Sequence, residues 1–537
     1  MKSKYAEEWV EAQLIEKNAF ERHNVLTVVP RSSIPHGRKI FKPRPVFKIK
    51  INPPDLQHPH GSLDKFKYRL TIAAFTKMMR EGIDYQEKYA STVRWNSLKI
   101  LLAIACKEDF DIILFDISEF FLYGKLDSEV YMEQPAGWES DDKPKATHVC
   151  LVNRSMYGLP QASHCAQQEL KAALTTKGDF VSTASDDCIY VNEGKHDNHE
   201  CIRDDYAALG AHVDDLTSIG TAKGLNKLRA LLKEHFKITE KFNPTTITGV
   251  QVQRDRKARW LKIHQAAFTL DLLIANGMER CHGVNTPIDP AMAKAMMLMP
   301  DDEVLDLKIL KEYQKLVGSF IWLLKTRPDF AFCVCFLSRF LKCATKEHLR
   351  LARGRPLRFL KETMHYGIVF SPGKEEWTLS GASDSDLAGD LKTSRSTMGH
   401  NLRLGKFGSI VSSCKLERKI CTSTGQAETY ALQSLCKDII WVRGFLAEIG
   451  YPMSGPTKLG QDNDGVVKQS TKTINHTQAK HYRIAQAYIR QLVHDLVMKL
   501  FTLKTDYNWT DIYTKALNAP AFLRHHDSSM GPQSSEE

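Results

Sequence analysis

Carboxylates carried on separate strands yet close in space can clamp two divalent cations about 3.5–4 Å apart, the arrangement that nucleotidyl transfer requires. Asp116, Asp214 and Asp215 are candidates for such a set. Asp116 lies at the end of the apolar run DIILFDI, which reads as a short buried strand. Residues 206–219, YAALGAHVDDLTSI, read as two strands folded around Asp214 and Asp215. An Asp-Asp dipeptide alone is poor evidence, because further pairs at 141, 186, 204 and 301 read as turns or solvated loops. The pair at 214 differs in its flanks: Ala211, Val213, Leu216 and Ile219 set it at the tip of a partly buried hairpin. Unit charges 4 Å apart at an effective dielectric near 20 repel by about 4 kcal/mol, so clustering there implies a cation.

The elements that must position these carboxylates are legible from periodicity. Residues 4–21 read as an entry helix with Ala6, Trp9, Val10 and Leu14 on one face, and Pro30, Pro35, Pro43 and Pro45 then force extended structure. A helix is expected over 94–107, ahead of the Asp116 strand. An amphipathic helix over 223–236 follows the Asp-Asp hairpin and carries Leu225, Leu228, Leu231, Leu232 and Phe236. This is an α+β arrangement. Pro287, Pro290 and Pro300 mark a linker-like shift, after which 309–366 is mainly helical. Strands return from Trp377, and 426–449 reads as a long helix with Ala427, Ala431, Leu435, Val442 and Leu446 near one face and Gly450 as its stop. A second, α/β unit therefore begins near 376. The tail, HHDSSMGPQSSEE, is polar and expected to be disordered.

With 537 residues the chain is too long for one core, and 42% hydrophobic with 26% charged residues is an ordinary globular composition. Lys and Arg total 74 against 63 acids, a formal charge of +11, which suits a polyanionic partner. Residues 31–50 carry Arg31, Arg38, Lys39, Lys42, Arg44, Lys48 and Lys50 with no acid, interleaved with Phe41 and Phe47. The stretch reads either as a phosphate-contacting surface or as a solvated basic edge strand. The 12 cysteines show no zinc-finger spacing and read as reduced, intracellular thiols, and His196, His199 and Cys201 lack a fourth ligand. No apolar run approaches the ~20 residues of a membrane helix.

The segments FDISEFFLYGKLDSEVYMEQPAGWE, LVNRSMYGLPQAS and HVDDL, in that order, closely resemble the copia-type retrotransposon reverse transcriptase. REGIDYQEKYASTVRWNSLKILLAIA upstream and YQKLVGSFIWLLKTRPDFAFCVCFLSRFL downstream extend the resemblance over almost the whole chain, from Tyr5 to Leu517. It implies an α+β and α/β multidomain chain: reverse transcriptase fingers and palm over 1–290, a helical thumb or connecting region over 291–375, an RNase H-like domain over 376–520, and a disordered tail over 521–537. It implies that Asp116, Asp214 and Asp215 hold catalytic magnesium with the backbone of Ile117 beside the second metal, and that Phe121 is a steric gate against a ribose 2′-hydroxyl. Gln161 matches a glutamine that contacts the incoming nucleotide, and Lys67 and Arg69 match basic residues near its phosphates. ITGVQVQ resembles a primer-gripping strand and turn, in which Gly249 would permit close backbone approach; a plain strand glycine is the alternative. Asp384, Glu428, Asp462 and Asp511 resemble the four acids of retroelement RNase H. Asp384 is expected to end a first strand, Glu428 to begin a helix, Asp462 to end a later strand and Asp511 to begin the last helix. The implied cofactor is Mg2+, two per active site, with Mn2+ as a substitute. The implied partners are an RNA template, a DNA primer, RNA–DNA hybrid and dNTPs, with no membrane, in a cytoplasmic virus-like particle or the nucleus.

Several positions depart from the family pattern. His212 stands where a tyrosine or large apolar residue is usual, Ser163, His164, Cys165 and Ala166 replace a proline, basic and tryptophan run, and Ala73 and Ala74 replace a basic residue and a glycine. KHYRIAQAYIR departs from the usual acidic and histidine run, and TDYNWTDIY lacks a proline before Asp511. All seven metal carboxylates are thus expected to be kept while substrate-handling residues have drifted. The absence of gag, protease and integrase motifs reads as a fragment or an eroded genomic copy. The rivals to an active polymerase with RNase H are a catalytically inactive nucleic-acid-binding relic and a nuclease without a polymerase.

Overall fold

The computed structural model describes residues 4–51, 62–74, 79–139, 142–192, 204–300, 306–371, 377–406, 408–471 and 482–533. The segment with His196, His199 and Cys201 and the Asp-Asp pair at 301 lie outside them. The architecture is the mixed, multidomain one expected, with four sheets of four to six strands and a two-stranded ribbon.

The entry helix Ala6–Arg22 buries Trp9, Ala12, Ala19 and Phe20. Val10 and Leu14, expected on the buried face, are 58% and 54% exposed. The reason is the narrowness of what the helix covers. Trp9 meets Phe47 and Phe66 edge-on at 5.1 and 4.7 Å. These belong to the ribbon of Pro43–Ile51 and Leu63–Ile72, and a twisted ribbon offers a contact strip rather than a full face. The basic stretch thus includes a largely exposed strand bonded to a single partner, as the edge-strand reading requires.

The central six-stranded sheet has the order Ile238–Phe242, Asp111–Ile117, Asp215–Gly220, Ala207–His212, Ile189–Asn192, Phe180–Ser182. Side chains alternate across a strand. Ile112 therefore packs with the helix Trp95–Glu108 on one face. Ile113, Phe115 and Ile117 pack on the other with Leu170, Leu225, Leu228 and Leu232, from the helices Ala162–Ala172 and Ala222–His235. A strand buried on both faces explains why DIILFDI is nearly continuous in apolar residues.

The proline-rich shift near 290 is not a linker. Pro290 occupies the first turn of a helix, Pro290–Met297, that Asp289 caps by accepting from the Met292 N–H at 2.7 Å. Leu272, Leu273, Ile288, Met292 and Met296 share one core with Tyr313, Phe320, Phe330, Phe336 and Phe359, so the expected boundary at 290 falls inside that core.

The C-terminal sheet has the order Ser409–Leu416, Arg395–Leu404, Leu379–Asp390, Thr457–Gln461, Met498–Thr502. Its first three strands in sequence are antiparallel and the last two run parallel to Leu379–Asp390 and to each other. The 25-residue helix Thr424–Glu448 makes the crossover, burying all five residues expected on its apolar face. The expected disordered tail is corrected by a helix, Ala519–Met530. Asn518 caps it, and Phe522, His525, His526, Ser529 and Met530 are buried, so histidines that read as polar tail residues form its packed face.

Candidate active sites

At the first site, His212 pairs with Asp215 across the hairpin, leaving Val213 and Asp214 as a two-residue turn. Val213 has φ +58°. A β-branched residue in this region costs about 1–3 kcal/mol and persists where its surroundings enforce it. Here the Ile117 N–H donates to the Asp214 carbonyl at 3.0 Å, tying the turn to the next strand. The register sets Asp215 directly opposite Asp116, and Asp116 opposite Thr239, whose hydroxyl lies 3.5 Å from Asp116 Oδ2. Burial and the neighbouring Asp214 push the Asp116 carboxyl up; burial, Asp214 and Asp116 push Asp215 up. Like charges sharing a site have this effect.

The ribbon brings cations toward these acids. Lys67 and Lys50 both oppose the rise at Asp116. Burial, with Arg69, Lys50 and Lys65 nearby, holds the Lys67 ammonium below its ordinary value. The Arg69 guanidinium stacks 4.2 Å over Tyr157, and Tyr157 meets Phe121 edge-on at 4.9 Å. Gly158, at φ +99°, makes this approach sterically open: a Cβ there would fall 2.2 Å from the Ile72 carbonyl oxygen. Phe121 is half-buried, and Ile117, 1% exposed, offers only its backbone. Gln161 is fully buried and donates to the Asp84 carbonyl at 3.3 Å, while its own carbonyl oxygen has no partner. The structure therefore seats Gln161 beneath the surface. Gly249, φ +80°, forms a hairpin turn with Thr248 between Ile247 and Val250, the turn reading rather than the strand one.

The second site gathers four acids. Asp384 lies in the middle of the strand Leu379–Asp390, not at its end. Glu428 is in the first turns of Thr424–Glu448, Asp462 follows the strand Thr457–Gln461, and Asp511 lies in a short 3-10 turn, Trp509–Tyr513, rather than in the last helix. Asn508 there accepts from the Thr510 N–H at 3.2 Å and starts the turn. Ligand oxygens of Asp384, Glu428 and Asp462 all lie within 4.8 Å of one another. Glu428 accepts from the Ser385 N–H at 3.1 Å and from Gln461 at 3.3 Å; Asp384 accepts from Asn508 at 3.2 Å and from the Thr514 hydroxyl. Burial raises Asp384, Glu428 and Asp462, and repulsion adds to it: Asp511 acts on Asp384, and Asp384 on Glu428. Lys515 Nζ lies 3.0 Å from Asp511 Oδ1 and, although partial burial opposes its charge, is held above its ordinary value by Asp384 and Asp511.

Among the described residues, the other group as compact as this is Asp186, Asp187 and Cys188. Asp186 accepts from the Arg94 N–H and Ser97, and Asp187 from Ser91, so the chain's own donors occupy them. Asp204 and Asp205 pair with Lys223 and Lys227. Both pairs are the turn and loop features read from sequence. Asp116, Asp214 and Asp215 are adjacent but not drawn as tightly as the second trio. Sequence reasoning missed Lys515, Asn508, Thr514 and Glu16. Lys515 was visible only as the i+4 partner of Asp511. Glu16, pushed up to about 6 by burial, accepts from the Leu70 N–H at 3.1 Å, a tertiary contact with no local trace.

Residues 23–290 match the family described as reverse transcriptase (RNA-dependent DNA polymerase). The chain is 29% identical over 487 residues to the Retrovirus-related Pol polyprotein from transposon TNT 1-94 of Nicotiana tabacum, across 90% of this chain and 35% of that one. It is 29% identical over 518 residues to the Pol polyprotein from transposon RE1 of Arabidopsis thaliana, across 96% of this chain and 33% of that one. A solved foamy viral protease-reverse transcriptase in complex with double-stranded DNA aligns at TM-score 0.48 and 12% identity, over 90% of this chain and 68% of that one. The chain belongs to the copia-type retrotransposon reverse transcriptases. It spans about a third of the length of the curated relatives it matches.

Proposed function

We propose that the chain is an RNA-directed DNA polymerase with an attached ribonuclease H, acting on an RNA template, a DNA primer and dNTPs. The observation that carries this reading is the strand register that sets Asp215 opposite Asp116 with Asp214 on the intervening turn. Hard divalent cations such as Mg2+, when bound, would neutralise charge on the attacking and leaving oxygens. Asp116, Asp214 and Asp215 would hold them, with the Ile117 backbone alongside. Lys67 and Arg69 would meet the nucleotide phosphates, and Arg69, stacked on Tyr157, would fix the wall against which Phe121 excludes a 2′-hydroxyl. Asp384, Glu428, Asp462 and Asp511 would hold the cations for RNA-strand hydrolysis, where Lys515 balances the acids in the metal-free state.

The test is Mg2+-dependent extension of oligo-dT on poly-rA by the purified chain, with an Asp214→Asn, Asp215→Asn double variant as control. Removing ligands that stabilise the transition state by several kcal/mol should slow extension by roughly a thousandfold or more. No extension by a folded, hybrid-binding parent would overturn the polymerase reading.

A further inference from the structure

Away from both carboxylate sites, a cavity of about 710 Å³ lies where the helix Trp95–Glu108, the end of Leu307–Leu323 with the following Ala331–Ser338, and the strand Ser409–Leu416 meet. Four cations line it, Lys99, Lys325, Arg339 and Lys415, and no carboxylate does. Lys99 is 3% exposed, and no ion pair or hydrogen bond engages it among the described residues. Arg339 donates to the Thr397 hydroxyl at 2.8 Å and has Asp390 at 3.6 Å, yet its Nε and Nη1 are buried without a hydrogen-bond acceptor. Ser338, Ser412 and Ser413 are among its neutral lining residues.

A buried ammonium without a counter-ion is costly, and buried charges are ordinarily paired. Among the described residues nothing supplies Lys99 with a pair. We infer that this junction cavity is a binding site for a phosphate-bearing anion, seated on Lys99 and Arg339 with Lys325 and Lys415 at its rim. Its volume falls in the range of ligand pockets and exceeds what a single small ion fills, which fits an oligophosphate or a stretch of nucleic-acid backbone. In either source the phosphodiester or phosphate oxygens are what the cations recognise. The cavity is built from three parts of the chain, so its occupant would also brace their junction. The inference stands apart from the assignment of either carboxylate site.

Calorimetric titration of the full chain with sodium tripolyphosphate tests it, at fixed ionic strength and without divalent cations. Lys99→Met keeps the aliphatic stem and removes the charge. The parent should bind saturably, and Lys99→Met should weaken binding by about tenfold or more, the loss of one charge-assisted contact. Lys325→Gln, at the rim, gives the same direction if Lys99→Met does not fold. Displacement of tripolyphosphate by a single-stranded oligodeoxynucleotide would assign the site to nucleic-acid backbone; failure to displace it would assign the site to a free oligophosphate. No binding by the parent, or equal binding by the parent and both variants, would overturn the inference.

Discussion

At the residue scale, the account turns on carboxylates held where ionisation is unfavourable without a cation. Asp384, Glu428 and Asp462 are raised by burial and mutual repulsion. A carboxylate whose folded value is raised favours the fold most below the ordinary carboxylate range, and that advantage is lost as pH rises through the raised value. The metal-free protein should therefore lose stability from about pH 4 up to about 9, the value to which Glu428 is raised. Asp384→Asn should stabilise the fold in EDTA at pH 8 by about 1–3 kcal/mol, read as a higher Tm, because the Thr514 hydroxyl can turn to accept from the new amide. The same variant should lose the Mg2+-dependent rise in Tm shown by the parent. Lys515→Gln should do the opposite in EDTA, lowering Tm by removing the ammonium beside Asp511, while enlarging the Mg2+-induced rise. Thermal melts with and without the cation check both. The acids themselves were legible from their order and flanks. Their partners Asn508, Thr514 and Lys515 were not, since a 3-10 turn replaced the helix expected at Asp511.

At the scale of elements, periodicity located the strands and helices around Asp116, the Asp-Asp hairpin and the long helix Thr424–Glu448, because one or two large cores bury their faces. It misjudged elements whose packing partner is small or distant in sequence. Val10 and Leu14 had the right spacing but no surface to meet, and the helix Ala519–Met530 was masked by histidines that find partners about 200 residues away. His526 lies 3.6 Å from Asp329, which is paired in turn with Arg327 at 2.8 Å. Burial opposes the Asp329 charge, but Arg327 and His526 outweigh it and hold the carboxyl well below the usual range. Arg327→Met leaves that charge buried with one partner fewer and should cost about 3–5 kcal/mol in denaturant unfolding. Burial likewise opposes the His526 charge, yet Asp329 and Asp527 raise its value. A raised histidine stabilises below its unfolded value near 6.5 and ceases to as pH rises through the folded one. Amide protection factors in Ala519–Met530 should therefore fall as pH is raised above neutral, and His526→Gln should flatten that dependence.

At the scale of the whole molecule, the two carboxylate centres sit on units that share a core. Helix Trp95–Glu108 and the face of the Asp116 sheet that it covers belong to one apolar cluster with Leu432, Ile439, Phe445 and Leu459 of the C-terminal unit. Tyr206 donates to the Ile449 carbonyl at 3.0 Å, and Trp441 donates to the Ser185 carbonyl at 3.0 Å. This continuity predicts one coupled unfolding transition for the parent by fluorescence and circular dichroism. Two well-separated transitions would show independent units. None of this junction was legible in sequence, because its contacts join residues more than 200 positions apart and carry no local pattern. The most direct test of two separate metal centres on one folded chain is a single reaction on an RNA–DNA primer-template, with the RNA labelled and both extension and RNA cleavage recorded. The account predicts that the parent does both, that the Asp214→Asn, Asp215→Asn variant loses extension and keeps cleavage, and that Asp384→Asn loses cleavage and keeps extension. Extension or cleavage at the parental rate in the variant that should lack it would contradict the account.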